Sequence, residues 1–263
     1  MKLLTLNCHS WQEENQIDKI KYIAKVIKQK KYDVIALQEV SQSINKGIVY
    51  KNIKEDNFAL LLLDELKKLT VDEYSLNWDF SHIGYDIYEE GVAILTKHPV
   101  IENTSFFVTN SNDTNFWKTR KILKSTIDYK GKNISFFSCH LGWWDDKEEP
   151  FKSQVDNLIN QAKQENLFFL MGDFNNDAHT KGEGYDYLIK KGLYDTYNIA
   201  KIKDDGITVK GKIAGWEKNK QGLRIDMIFV NKPVNIDYSK VIFNGENGEV
   251  VSDHFGVEIQ VNI

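Results

Sequence analysis

Cysteine and proline are nearly absent from this chain, with two Cys and three Pro in 263 residues. Two cysteines exclude a disulfide-stapled scaffold. So few prolines exclude a Pro-rich extended or disordered chain. No apolar run approaches the ~18–20 residues that a membrane-crossing helix requires. The longest, Phe58 to Leu63, is flanked by charge and reads as a buried helix segment. The stretch Met1–Leu6 is too short for the core of a secretory signal and has no small-residue cleavage site after it. Basic clusters are also missing. No run of five or more Lys or Arg occurs, and Lys28–Lys31 is broken by Gln29 and reads as a solvated helix end. With a net charge of −4 and a pI near 5.9, the chain lacks the signature of a mainly electrostatic nucleic-acid binder. These absences predict a cytoplasmic protein with no membrane partner, for which nucleic acid is the less favoured substrate.

The remaining composition, 41% hydrophobic and 27% charged, is that of a globular protein able to bury a sizeable core. Short apolar runs recur from end to end. Lys2–Leu6, Asp33–Leu37, Val92–Leu95, Leu167–Met171, Arg224–Val230 and Phe255–Val261 read as strands. Lys121–Asp128 and Asn133–His140 flank Tyr129-Lys130-Gly131-Lys132 as a hairpin. Gln16–Gln29 carries Ile17, Ile20, Ala24 and Ile27 on one helical face, Asn57 is placed to cap a helix through Leu69, and Pro150–Lys163 is a third helix. Strand–helix–strand units mixed with hairpins predict an α/β fold with mixed sheets. A boundary near 130–150 would suit the length, but the chemical motifs fall in both halves. That distribution favours one domain over residues 1–263, with two sheets meeting at one cleft.

Those motifs share one placement. Polar, acidic and imidazole groups follow the carboxyl ends of apolar strands, where ligand sites of α/β sheets tend to lie. Leu3–Leu6 runs into Asn7 and His9, and Val34–Leu37 into Gln38-Glu39. Ile134–Cys139 runs into His140, Phe168–Met171 into Gly172-Asp173-Phe174-Asn175, and Val250-Val251 into Ser252-Asp253-His254. A carboxylate set at strand ends suits a hard divalent cation, because Mg²⁺ takes a few oxygen ligands and keeps several waters. Each piece has a plainer reading. Glu39 reads equally as a solvated loop acid, His140 as a hydrogen-bonded core histidine, and the Gly172–Asn175 and Asp253-His254 segments as side-chain-bonded turns.

In this order the segments resemble the endonuclease/exonuclease/phosphatase superfamily, the deoxyribonuclease I-like fold. The matching residues are Leu6-Asn7, Leu37-Gln38-Glu39-Val40, Glu90-Gly91-Val92-Ala93-Ile94-Leu95, Ser138-Cys139-His140-Leu141, Gly172-Asp173-Phe174-Asn175, Arg224-Ile225-Asp226-Met227-Ile228-Phe229 and Ser252-Asp253-His254. The resemblance implies a four-layer α/β/β/α sandwich: two packed mixed β-sheets flanked by helices, with one site between the sheets. It also implies a Mg²⁺-dependent phosphoesterase, with Mn²⁺ a possible substitute. Glu39 would be the principal metal ligand, with Asn7 and Asp253 near the metal. Asp173 and Asn175 would orient or deprotonate the attacking water and hold phosphoryl oxygens. His254 would face the phosphate with Asp226 behind it, and His140 would lie opposite with Glu90 as its carboxylate partner. Arg120 stands where the nuclease branch has a phosphate-contacting arginine, on a looser local match.

Motifs shared across a superfamily do not choose a substrate. Leu141-Gly142-Trp143-Trp144-Asp145-Asp146, directly after His140, puts two indoles and two acids where they could stack a sugar ring and bind its hydroxyls. The plainer reading packs one Trp under the loop and leaves the other at the rim. Phe116-Trp117-Lys118-Thr119-Arg120 adds aromatic and cationic groups suited to a phosphorylated sugar, or else marks a hairpin edge. With Leu6-Asn7-Cys8-His9-Ser10-Trp11 at the start, which brings in His9 as a substrate contact, the set looks like a cytoplasmic branch of low-GC Gram-positive bacteria that includes maltose 6′-phosphate phosphatases. The expected substrate is therefore a small sugar phosphate. The alternatives are a nuclease of the deoxyribonuclease I or exonuclease III type and a sphingomyelinase-like phosphodiesterase. Cys8 and Cys139 should point away from their site neighbours by strand alternation, as small buried hydrophobes.

Overall fold

Every residue from Leu3 to Asn7 is buried, and a strand with no exposed side belongs in the middle of a sheet covered on both faces. The computed structural model, which describes residues 1–263, places that strand so. In chain order the elements are β1 (Lys2–Asn7), α1 (Gln16–Lys30), β2 (Val34–Ser43), β3 (Ile48–Tyr50), β4 (Ile53–Lys54), α2 (Phe58–Lys68), β5 (Ser75–Gly84), β6 (Tyr88–Thr96), β7 (Val100–Phe107), β8 (Lys121–Tyr129) and β9 (Lys132–His140). They continue with α3 (Phe151–Ala162), β10 (Phe168–Asp173), α4 (Gly184–Lys190), β11 (Tyr194–Asp195), α5 (Thr196–Ile199), β12 (Ile202–Lys203), β13 (Val209–Lys210), β14 (Gly222–Leu223), β15 (Asp226–Val230), β16 (Asn235–Ile242) and β17 (Gly256–Asn262).

Two mixed sheets dominate. One has the order β12-β16-β17-β1-β2-β6-β5 and the other β11-β15-β10-β9-β8-β7. Leu3, Val34, Ala36 and Ile94 of the first sheet meet Leu123, Phe136, Phe169 and Ile228 of the second in the central core. The outer face of the first sheet packs Leu4, Leu6 and Leu37 under Ile20 and Ile27 of α1 and Phe58 and Leu62 of α2. The outer face of the second packs Phe137, Cys139 and Leu170 under Phe151, Val155 and Leu158 of α3. The layers therefore run helix, sheet, sheet, helix, as expected.

Local sequence explains the boundaries. The Asn57 side chain accepts from the Ala59 and Leu60 amides and so starts α2 as a cap. The β8–β9 hairpin closes on two residues, Lys130 and Gly131, both left-handed at φ 54° and 79°, as a tight type I′ turn requires. Among strands longer than three residues, three have no counterpart in the sequence reading: β5, β7 and β16. Their polar residues obscure the apolar signal, and β7, an edge strand, exposes Ile101 through Ser105 on both faces. The predicted strand Arg224–Val230 begins only at Asp226, since the Arg224 and Ile225 carbonyls accept from the Ala178 and Phe174 amides of a loop instead of from a strand.

Candidate active site

Strand register assembles the site. At the end of the second sheet His140 and Asp173 are parallel partners, and Asp173 and Asp226 are antiparallel partners. Three neighbouring strands thus deliver an imidazole and two carboxylates in one row. Gly172 makes this row possible: it has φ 151°, and a Cβ there would lie 1.9 Å from the Cys139 carbonyl oxygen. From the first sheet, Asn7 ends β1 beside Gln38 of β2. The β2–β6 pairing slips between Leu37 and Val40, and Glu39 adopts φ 50° within that slip. Such a bulge re-aims a side chain, and here it turns the Glu39 carboxylate into the cleft. Asn7 Nδ2 donates to Glu39 Oε1 at 2.8 Å and to Asp173 Oδ2 at 3.1 Å, joining the two sheets.

Around this bridge, His140 Nε2 lies 3.8 Å from both Glu39 and Asp173. His254 Nδ1 donates to Asp226 Oδ2 at 3.0 Å, and its Nε2 lies 3.9 Å from Asp173. Burial opposes a charge on His254, but Asp226 and Asp173 hold its protonated form to a pKa well above the usual histidine range. His140 moves the other way, well below that range, through burial and the nearby Arg120 and His82. Burial, reinforced by Asp226, pushes Asp173 up to about 7. The site therefore pairs an imidazolium on one side with a neutral imidazole on the other.

The cleft opens into a cavity of about 350 Å³ that also takes in His9, Tyr85, Trp117, Trp143 and Asp253. His9 Nδ1 bonds Glu13 at 2.8 Å and lies 3.5 Å from Asp253. Arg120 is buried against the wall. Its Nη1 donates to the Trp117 carbonyl at 2.8 Å, while its Nε has no partner. No other Lys or Arg lines the cavity.

Three expectations are corrected. Glu90 does not partner His140. It lies across from His82 on β5, with Oε1 3.5 Å from His82 Nε2. His82 donates from Nδ1 to the Thr119 carbonyl, so its Nε2 is an acceptor. Burial and the neighbouring Glu39 push Glu90 up to about 8, while burial and Arg120 pull His82 down to about 3. The two neutral groups thus match as donor and acceptor. Trp144 does not line the cavity. It packs under the loop against Phe151 and Tyr187, with ring centroids at 6.2 and 6.0 Å. The acids beside the indoles do not face the cavity either: Asp146 is held by Lys118 at 2.6 Å, and Asp145 is exposed to solvent. Glu39, Asn7, Asp253, Asp173, Asn175, Asp226, His254, His140, Arg120, His9 and Trp143 do gather at one cleft. Cys8 and Cys139 sit in the two outer cores as expected.

Sequence reasoning missed His82, Glu13 and the loop that brings Ile213, Ala214 and Trp216 to the cavity. Glu13 had a weak signal, four residues after His9. Trp216 had none beyond being an apolar ring in a Lys-rich turn.

The family model described as Endonuclease/Exonuclease/phosphatase family matches residues 5–254. The chain belongs to this family. Members hydrolyse phosphoesters, so the cleft is that of a phosphoesterase. An endonuclease/exonuclease/phosphatase family protein from Leptotrichia buccalis C-1013-b is 43% identical with a TM-score of 0.95, each chain covered in full. A mannosyl-6-phosphatase from Bacteroides thetaiotaomicron VPI-5482 shares the fold at 18% identity and a TM-score of 0.71, again with both chains fully covered. Sphingomyelinase C 2 of Leptospira interrogans is 22% identical over 282 residues, which cover 97% of this chain. The chain spans 44% of that curated relative's length. No helix is long and apolar enough to cross a membrane.

Proposed function

We propose that the protein is a divalent-metal-dependent phosphomonoesterase acting on a small phosphorylated sugar, with a disaccharide phosphate of the maltose 6′-phosphate kind as the expected substrate. The observation that carries this reading is the shape of the cleft: a cavity of about 350 Å³ walled by Tyr85, Trp117 and Trp143, to which Arg120 is the one Lys or Arg contributed. A nuclease needs an extended cationic track spanning several phosphates. A small ligand needs only a concave pocket on the scale of 300–1,000 Å³, with rings to cover it and placed polar groups to orient it. The mannosyl-6-phosphatase among the structural neighbours agrees with that preference.

The donor set fits Mg²⁺ or Mn²⁺. Glu39 and Asp173 converge with His140 within 4.8 Å, and burial together with the neighbouring Asp226 and Glu39 raises the proton affinity of Asp173, an imbalance that a cation offsets. Glu39 would be the main ligand, with Asn7 and Asp253 close by. The ion would neutralise charge on the phosphoryl oxygens and lower the pKa of water. Asp173, which accepts from the Asn175 backbone N–H at 2.8 Å, orients the attacking water and takes its proton. Asp226 holds the His254 ring through Nδ1, which leaves Nε2–H to meet the phosphoryl group. Arg120 Nε and the second hydrogen of Asn175 Nδ2 supply donors to charge that grows in the transition state.

The test is a panel of sugar phosphates, nucleotides and plasmid DNA, assayed with Mg²⁺ and with chelator. The expected result is chelator-sensitive release of phosphate from a hexose or disaccharide phosphate and no nicking. Nicking without sugar phosphate hydrolysis overturns the proposal in favour of a nuclease.

A further inference from the structure

Between β13 and β14 the chain makes an eleven-residue excursion, 211–221, that sits over the cleft. Its base is bound to the catalytic strand. Val209 pairs with Leu223, and Thr208 Oγ1 accepts from the amides of Ile225 and Asp226 at 3.2 Å each. Ile213 and Trp216 pack on Val209, Leu223 and Ile225, and Ile213 and Ala214 reach the cavity. Gly215, at φ 80°, lies so close to Trp143 that a Cβ there would meet the ring at 2.5 Å. The excursion and Trp143 thus share one wall of the space where a leaving group would sit.

From this excursion the Trp216 indole Nε1–H donates to Asn175 Oδ1 at 3.3 Å. The other end of the same amide, Asn175 Nδ2, donates to the Leu141 carbonyl at 2.9 Å. An indole N–H can only donate and a carbonyl can only accept. Together they leave the Asn175 amide one orientation. Without Trp216 the oxygen end loses its partner, and the Leu141 carbonyl alone holds the amide, so the N–H that faces the phosphoryl group is less firmly aimed.

We propose that Trp216 is a positioning residue: it fixes the Asn175 amide for the phosphoryl group and thereby couples the excursion that walls the leaving group to the reacting centre. This rests on Asn175 acting as a phosphoryl donor, the role proposed above.

Trp216→Phe keeps a ring in the small core but removes the donor. It should lower kcat on the order of 10-fold with KM nearly unchanged, the pattern of an interaction made at the reacting group rather than in substrate binding. In the Asn175→Ala background the same change should add little, because the two residues act as one unit. Additive losses, or a change confined to KM, overturn the proposal. An Asn175→Ala variant with parental kcat removes the phosphoryl role of Asn175 along with it. A slow Asn175→Ala variant beside a Trp216→Phe variant with parental kcat removes only the coupling. A readout without substrate is the ¹H–¹⁵N indole resonance of Trp216, identified by its loss in Trp216→Phe. It should shift in Asn175→Ala and stay in place in Trp144→Phe. An unmoved resonance in Asn175→Ala overturns the contact itself.

Discussion

Asp173 and Asp226 are direct partners across antiparallel strands, two carboxylates side by side in a buried row, with the His254 ring reaching both at 3.9 and 3.0 Å. The pair keeps a proton on the imidazole, and the imidazole in turn keeps two neighbouring acids from repelling each other apart. One cation offsetting two anions makes each member costly to remove. Asp173→Asn and His254→Ala should each lower kcat on the order of 10²-fold or more, since both act on the reacting group. Steady-state kinetics on the preferred phosphate ester check this, and a change confined to KM would contradict it.

Glu39→Gln keeps the shape of the side chain and its bond from Asn7, but removes the charge. Turnover at limiting Mg²⁺ should fall by at least ~10²-fold, with the thermal midpoint close to the parent. Activity measured across a Mg²⁺ titration decides the point, and parental turnover at low Mg²⁺ takes Glu39 out of the ligand set.

The two adjacent tryptophans should separate cleanly. Trp143 lines the cavity, so Trp143→Ala should cost a disaccharide phosphate about 1–3 kcal/mol in kcat/KM and spare p-nitrophenyl phosphate. Trp144 packs on Phe151 and Tyr187, so Trp144→Ala should leave that selectivity alone. Its cost is stability, on the order of 2 kcal/mol, less than the ~3–5 of a fully buried aromatic. Paired activity and melting measurements on both variants test the division, which equal selectivity losses would refute.

Acid stability should carry the mark of Asp33. Burial pushes this carboxyl up, but the Lys2 amide, the His98 ring and Lys97 outweigh burial and bring it below 3.8. Its bonds to the Lys2 amide and to His98 Nε2 are both 2.7 Å. A carboxylate with a lowered folded pKa stabilises fully above its unfolded value and loses that contribution as pH falls through the folded one. Stability of the parent should therefore drop below about pH 4 more steeply than that of Asp33→Asn. Urea unfolding between about pH 6 and pH 2 measures both slopes, and parallel curves would show that Asp33 contributes nothing.

Chemistry was more legible in the sequence than geometry. Asn7, His140 and Asp173 each end an apolar strand and Glu39 sits in the bulge of another, and strand ends are where sheet sites form, so their convergence could be read from order. His254 reaches the site differently, because Val250-Val251 forms no strand and the residue comes from the turn ahead of β17. What the order hides is partnership across strands. Glu90 was assigned to His140, whereas register sets it opposite His82, and register depends on a bulge between Phe80 and His82 that no residue type announces. The division of labour between Trp143 and Trp144 is equally silent, because adjacent residues of a loop can face either way. Edge strand β7 was missed for a related reason: with both faces largely in water, its sequence carries no period.

The chain leaves the first sheet and comes back to close it. It builds β1, β2, β5 and β6 there, crosses to the second sheet, touches the first again at the short β12, and after β15 returns with β16 and β17, the latter pairing with β1. Asp253 and His254 come from the turn just ahead of β17. Glu39, His140 and Asp173 come from strands laid down earlier, and the imidazolium joins their row only with the strand that closes the first sheet against β1, so completing the sheet and completing the site are one event.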